Sequence, residues 1–221
     1  MIFLYLCTKI FDIDTKMAEI NQYRQDLRDK IIAYAMKEFY QRGVKAVKMD
    51  EISQGLHVSK RTVYEIFGDK EELLIAGMKQ QQEESRRELE VYARTLAHNV
   101  IDIISFVYKN QMRRNQDVGV VFYEEIHKMP RVMDLLRSSH DQERVESRRF
   151  FETGIAEGLF RKDLNWEVLM DVGHVVMEEI MHRQLYKQHS MQEIFDNYIM
   201  LIIRGFCTPR GLAELDKALA E

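Results

Sequence analysis

The chain has 221 residues, 46% of them hydrophobic and 31% charged, with a net charge of −4, which suits a soluble globular protein of one large or two small cores. Its two cysteines, Cys7 and Cys207, lie far apart, without the paired spacing of a zinc site or a disulfide framework, and this points to a reducing, cytoplasmic compartment. The opening run MIFLYLCTKIF is apolar but stops at Asp12 and Asp14; it is too short to span a bilayer and lacks a basic leading region and a small-residue cleavage site, so neither a targeting signal nor a membrane partner is expected.

Met17 opens MAEINQYRQDLRDK, an ordinary helical lead-in. Residues 1–20 are therefore expected to be an N-terminal extension, with the first sixteen upstream of an alternative start. Only two prolines, Pro130 and Pro209, interrupt the chain, and apolar residues recur at three- and four-residue spacing throughout, so an all-α fold is predicted with no competing hairpin signal. A first helix fits Tyr23 to Arg42, with Leu27, Ile31, Ala35 and Phe39 on one stripe and Gly43 at its left-handed end. Short helices follow at about Met49 to Leu56 and Lys60 to Phe67. A fourth starts after Asp69 and runs through KEELLIAGMKQQQEESRRELEVYARTL; its polar run QQQEESRRELE suits an exposed connecting helix. Further helical segments break near Asn115, Pro130, Leu159 to Leu164 and His189.

The stretch HVSKRTVYEIFGDKEEL, from His57 to Leu73, carries the most chemistry. Ile52, Leu56, Val58, Val63 and Phe67 form the buried side of two short helices, with Leu56 to Val58 in the turn between them, a spacing that fits a helix-turn-helix. Ser59 is placed to cap the second helix. Lys60, Arg61, Thr62 and Tyr64 then face outward near its N-terminal end, where a recognition helix meets phosphates and base edges in a major groove. Asp69 and Glu72 make a capping-box-like D-x-x-E, and Lys70 is expected beside exposed amides whose dipoles favour a phosphate.

The segment MDEISQGLHVSKRTVYEIFGDKEELL resembles the DNA-binding signature of the tetracycline-repressor-like (TetR) family of bacterial regulators, with Ile52, Val58, Ser59, Thr62, Tyr64, Phe67, Lys70, Glu71 and Leu73 in register together. The resemblance covers about Tyr23 to Leu74; LIIRGF, ending at Phe206, is also similar to the family's usual last helix. It implies an N-terminal three-helix DNA-binding domain over residues 21–74, and a C-terminal helical domain over 75–221 that dimerises and binds a small effector. The partners implied are a double-stranded, palindromic DNA operator, a second copy of the chain, and a small molecule whose binding releases the DNA. No catalysis, no cofactor and no metal are expected. Lys48, Ser59, Lys60, Arg61, Thr62, Tyr64 and Lys70 form the expected DNA-contacting set. Three positions depart from the pattern. Lys48 stands where a capping Thr is frequent, although a lysine there reaches a phosphate; His57 replaces the usual turn glycine; and Ile66 replaces a Tyr or His that touches a phosphate.

Charge supports this more weakly than the motif. Between Asn21 and Gln80 there are 11 basic and 9 acidic residues, a net +2 within a chain of −4, leaving −6 for the rest. A different class of function rests on two E-x-x-H pairs, Glu124 with His127 and Glu179 with His182, the spacing that serves di-iron carboxylate bundles. With 22 glutamates and 7 histidines such pairs arise by chance, and nothing marks the two further glutamates a di-iron site needs. His174, Glu178 and His182 also share one helical face.

The C-terminal half offers adaptable apolar side chains from which either a core or a ligand pocket is built. Phe106, Met112, Phe122, Tyr123, Met133, Trp166 and Met170 are the pocket candidates. WEVLMDVGHVVMEEIMHRQLY and IFDNYIMLIIRGF are apolar over more of their circumference than one core contact requires. They are expected to pair across a two-fold axis as a four-helix seam, with Val172, Val176, Ile199 and Ile203 near its centre.

Overall fold

A computed structural model describes residues 2–220, with side chains described for 21–136, 138 and 145–220. Eleven α-helices follow one another among the described residues: α1 (Ile2–Arg42), α2 (Met49–Gly55), α3 (Lys60–Ile66), α4 (Lys70–Thr95), α5 (Val100–Asn115), α6 (Val120–Ile126), α7 (Pro130–Ala156), α8 (Trp166–His182), α9 (Met191–Ile194), α10 (Met200–Phe206) and α11 (Pro209–Ala220). A 3₁₀ turn (Leu185–Lys187) follows α8, and a π turn (Phe195–Ile199) joins α9 to α10. No strand forms among the described residues; the sole sheet-like feature is an isolated bridge between Phe160 and Cys207. None of the described helices is long and apolar enough to cross a membrane.

The first helix begins at Ile2, upstream of the expected Tyr23, with no proline or glycine between them to interrupt it. The expected extension, Cys7 and Met17 included, lies outside the residues whose side chains are described. The stripe on α1 is as the periodicity predicts, with Ile31, Ala35 and Phe39 fully enclosed and Leu27 packed at the edge. Gly43 ends the helix at φ +83°, its N–H reaching the Phe39 carbonyl at 2.9 Å. A Cβ there would also stand 2.6 Å from Val121, so a backbone need and a close approach coincide at one position.

Side-chain caps set several of the later helix starts. Asn99 accepts from the amides of Ile101 and Asp102 at α5, Asn165 from those of Glu167 and Val168 at α8, and Pro130 sits in the first turn of α7. Two cores result. The first joins α1, α2, α3 and the start of α4 through Ile31, Phe39, Ile52, Val63, Phe67 and Leu73, and extends to Phe122 and Ile126 of α6 and Val132 of α7. The second gathers Ile101, Phe151, Leu159, Phe160, Phe206 and Leu215 from α5, α7, the 157–165 loop, α10 and α11. At its centre Phe160 meets Phe206 edge to face, with ring centroids 4.9 Å apart. Backbone bonds from Arg161 to the Phe206 carbonyl (2.8 Å) and from Thr208 to the Leu159 carbonyl (2.9 Å) clamp that loop against the end of α10.

Candidate nucleic-acid interface

The turn between α2 and α3 depends on one residue in an uncommon conformation. His57 has φ 55°, in the left-handed region, and this lets its own amide reach Gln54 O (3.1 Å) and that of Val58 reach Ser53 O (3.0 Å). The chain then reverses so that Ser59 starts α3. Its hydroxyl accepts the Thr62 amide at 3.0 Å and lies 2.7 Å from the Thr62 hydroxyl. Val63 and Phe67 are buried, while Leu56, Val58 and Ile66 pack at the edge of the same core. Lys60, Arg61, Tyr64 and Glu65 remain on the outer face.

That outer face is basic but not bare. Lys60 sits between both carboxylate oxygens of Asp50, at 2.8 and 2.9 Å, and its ammonium lies 5.8 Å from the Tyr64 ring centroid. The Asp50 hydrogen bond and charge hold the Lys60 pKa above its ordinary value. Arg61 is 88% exposed and donates to Glu65 one turn on at 2.7 Å, which raises its pKa in the same way. These pairs are solvated and easily exchanged, so phosphates or base edges can replace the carboxylates. Lys48 stands exposed at the start of α2 and makes no side-chain cap.

Lys70 differs from the sequence expectation. Its ammonium turns towards the chain ahead of α2, donating to Val47 O at 2.8 Å and Lys45 O at 3.3 Å. Partial burial lowers its pKa, against the pull of Glu125 and Glu51. The N-cap beside it behaves as expected: Asp69 accepts the Glu72 amide at 2.7 Å, and Glu72 returns to the Gly68 amide at 3.1 Å.

The effector candidates do not converge. Phe122 and Tyr123 pack in or against the first core, and Trp166 and Met170 against the second. Met112 is buried on α5 and Met133 half-buried on α7. Of the seven, Phe106 alone lines an open cavity of about 950 Å³ between α4, α5 and α7. Much of its wall comes from the polar run of α4, including Gln82, Ser85, Glu88 and Leu89, which the sequence marks as an exposed connector. Beneath it a hydrogen-bonded chain crosses α4. Arg114 donates to the Ser85 hydroxyl and pairs with Glu88 at 2.8 Å; Ser85 donates to Gln81 O at 2.7 Å; and Tyr40 of α1 donates to the Gln81 side chain. Burial pushes the Tyr40 phenol up to about 12, which keeps it a donor. No local pattern reveals this chain, because its members lie 29 and 41 residues apart.

Val172 is 53% exposed on α8 beside Val168 and Val175, at 55% and 65%, whereas Val176, Ile199 and Ile203 are half-buried. Of the two E-x-x-H pairs, Glu179 and His182 face each other at 3.9 Å, and the other contacts of these residues lead away from any shared centre. Glu124 pairs with Lys187, His127 Nδ1 meets Tyr123 O at 2.8 Å, and Glu179 pairs with Arg183. Among the described residues no three His, Cys, Asp or Glu side chains converge on a common point.

Comparison with known proteins agrees with this geometry. The family described as "Bacterial regulatory proteins, tetR family" matches residues 31–76. The HTH-type transcriptional repressor NicS of Pseudomonas putida is 26% identical over 144 residues, 62% of this chain and 67% of that protein. A transcriptional regulator from Saccharomonospora viridis, solved in complex with choline, superposes with a TM-score of 0.59 at 16% identity, covering 79% of this chain and 97% of that one. A TetR-family regulator from Agrobacterium tumefaciens gives 0.61 at 14% identity, covering 84% and 100%. The ketosteroid regulator KstR2 of Mycobacterium tuberculosis gives 0.52 at 17%, covering 82% and 95%. At these identities the likeness to solved structures is one of fold.

Proposed function

The chain belongs to the tetR family of bacterial regulatory proteins, a transcriptional regulator and not an enzyme, and from that premise we propose that it represses by binding a palindromic operator as a homodimer. Residues 21–74 serve as the DNA-binding domain, and 75–221 as the dimerisation and effector domain, in the cytoplasm. Each subunit places α3 in a major groove, with the two copies about 34 Å apart or somewhat more along the duplex.

One observation carries this reading: α3 is capped by Ser59 and presents Lys60, Arg61, Thr62 and Tyr64 on its first turns while Val63 and Phe67 anchor it. Arg61 is the reader, since its fork matches the O6 and N7 acceptors of guanine. Lys48, Lys60 and Lys70 supply charge towards phosphates. Ser59 and Tyr64 stand where a hydroxyl and a phenol reach the backbone.

The exposed valines of α8 form one side of the dimer seam, with Ile199 of the π turn and Ile203 of α10 also contributing. The cavity between α4, α5 and α7 takes the effector. The choline bound by the S. viridis regulator supports a small-molecule effector. An effector that favours a different spacing of the two heads releases the operator by shifting the population between states. Selection of duplexes from fragmented genomic DNA by the purified full chain tests the reading. An enriched palindrome with two half-sites is the expected result; recovery of sequence-independent fragments alone would sink it.

A further inference from the structure

Resting on the reading of this cavity as the effector site, we propose that its ligand is an amphipathic organic anion, an aryl or alkyl body ending in a carboxylate, held by Arg114. Among the charged side chains of the wall with a described ion pair, Arg114 is the most sheltered, at 24% exposure, against 50% for Glu88 and Glu90 and 70% for Glu83. A sheltered charge interacts more strongly with a ligand than a solvated one does. The sheltered group is a cation with a planar fork, the shape that a carboxylate matches in two parallel bonds.

Of the wall's four acidic residues, three do not offer the converse site for a cation, and the fourth, Glu146, is exposed to solvent. Glu83, Glu88 and Glu90 each already face a guanidinium, of Arg87, Arg114 and Arg94, at 3.6, 2.8 and 2.5 Å. Lys79 and Arg86, also in the wall, have no carboxylate partner among the described residues and raise the positive potential at the mouth. Leu89, Ile103, Phe106, Val107 and Phe150 form the apolar part of the wall, where a ligand body would lie. Phe106 is stiffened by stacking on Tyr92, with centroids 4.1 Å apart. A volume of about 950 Å³ accommodates a drug-sized molecule.

The position of Arg114 also supplies a route to the DNA-binding head. Its guanidinium holds Ser85 and Glu88 of α4, and the same turn of α4 holds Tyr40 of α1 through Gln81. A ligand carboxylate takes Glu88's place on the fork and draws Arg114 towards the cavity. The bond to Ser85 is then lost, and α4 is released from α5 at the level where it is tied to α1.

The test uses the full-length wild-type chain and three variants. Probes are phenylalkanoates and straight-chain fatty acids of graded length, each beside the alcohol and the primary amine of the same skeleton. Binding is read by thermal shift and titration without DNA, and release by anisotropy of the selected operator. The carboxylates are expected to bind about tenfold to a hundredfold more tightly than their alcohols and amines. That preference should vanish in Arg114→Met. Glu88→Gln, which removes the internal rival and leaves the fold's own cation in place, should bind the carboxylates several-fold more tightly than wild type. Leu89→Trp, which puts an indole into the apolar part of the wall, should bind none of the series. If alcohols or amines bind as tightly as carboxylates while Leu89→Trp abolishes binding, the cavity stands and the anion proposal is overturned. If no probe binds, or Leu89→Trp binds as wild type does, the effector-site reading falls and takes the proposal with it.

Discussion

Arg61 and Lys70 illustrate how two basic residues nine positions apart come to different tasks. Arg61 extends into solvent with only Glu65 in attendance, so Arg61→Ala should weaken the selected operator roughly ten- to a hundredfold and relax preference at one base pair of each half-site. Lys70 is tied to the carbonyls of Val47 and Lys45. Lys70→Ala should therefore cost about 1 kcal/mol of folding stability as well as weakening all duplexes alike. Anisotropy on operator and scrambled DNA across a salt series, with a denaturant melt of each variant, separates the two. Even loss for Arg61→Ala on both duplexes would remove it as a reader; an unchanged melt for Lys70→Ala would show that its bonds to the chain contribute nothing. His57 makes a third case. At φ 55° a side chain bears a strain that glycine escapes, so His57→Gly should raise stability by up to about 1 kcal/mol with operator affinity retained. A lower melting temperature would mean that the imidazole makes a contact outweighing the strain.

At the scale of elements, the junctions decide more than the helices. The loop after α7 is held on three sides: the Thr208 hydroxyl donates to Gly158 O at 2.8 Å, Phe160 and Cys207 bridge, and Gly211 of α11 packs directly on the Leu159 carbonyl. A Cβ at position 211 would stand 2.2 Å from that oxygen, and the obstruction is backbone. Gly211→Ala should thus cost about 1–3 kcal/mol by forcing α11 away from the second core, despite alanine's better helix propensity. Thermal denaturation measures it, and a stabilised variant would show that α11 is not held against the loop as described.

For the whole molecule, the exposed Val168, Val172 and Val175 of α8 form an apolar run along one described helix face, a liability in water. Covering them in a dimer removes it. The double variant Val172→Asp, Val175→Asp should sediment as a folded monomer and lose operator affinity, because neither side chain supports the protomer's own core. This choice is cleaner than Val176 and Ile203, which are half-buried and whose replacement would disturb the fold too. A folded double variant that remains dimeric would place the seam on another face.

Short-range features were legible from the residues alone. Ser59 and Asp69 cap because an acceptor and its amide partner lie three residues apart; Gly43 and His57 are left-handed because adjacent helices must end there. The stripe of Ile31, Ala35 and Phe39, the breaks near Asn115 and Pro130, and the outward face of α3 follow from periodicity and from backbone chemistry confined to a turn or two. Tertiary structure alone decided that Lys70 points at Val47, that the first core reaches Phe122 and Val132, that six of the seven pocket candidates stay out of the cavity wall, and that the polar face of α4 lines that cavity together with Arg114. Each of these joins residues from about twenty to a hundred positions apart, and such pairings depend on the angles at which helices cross. Those angles come from the packing of every side chain in the seam at once, so no local spacing encodes them.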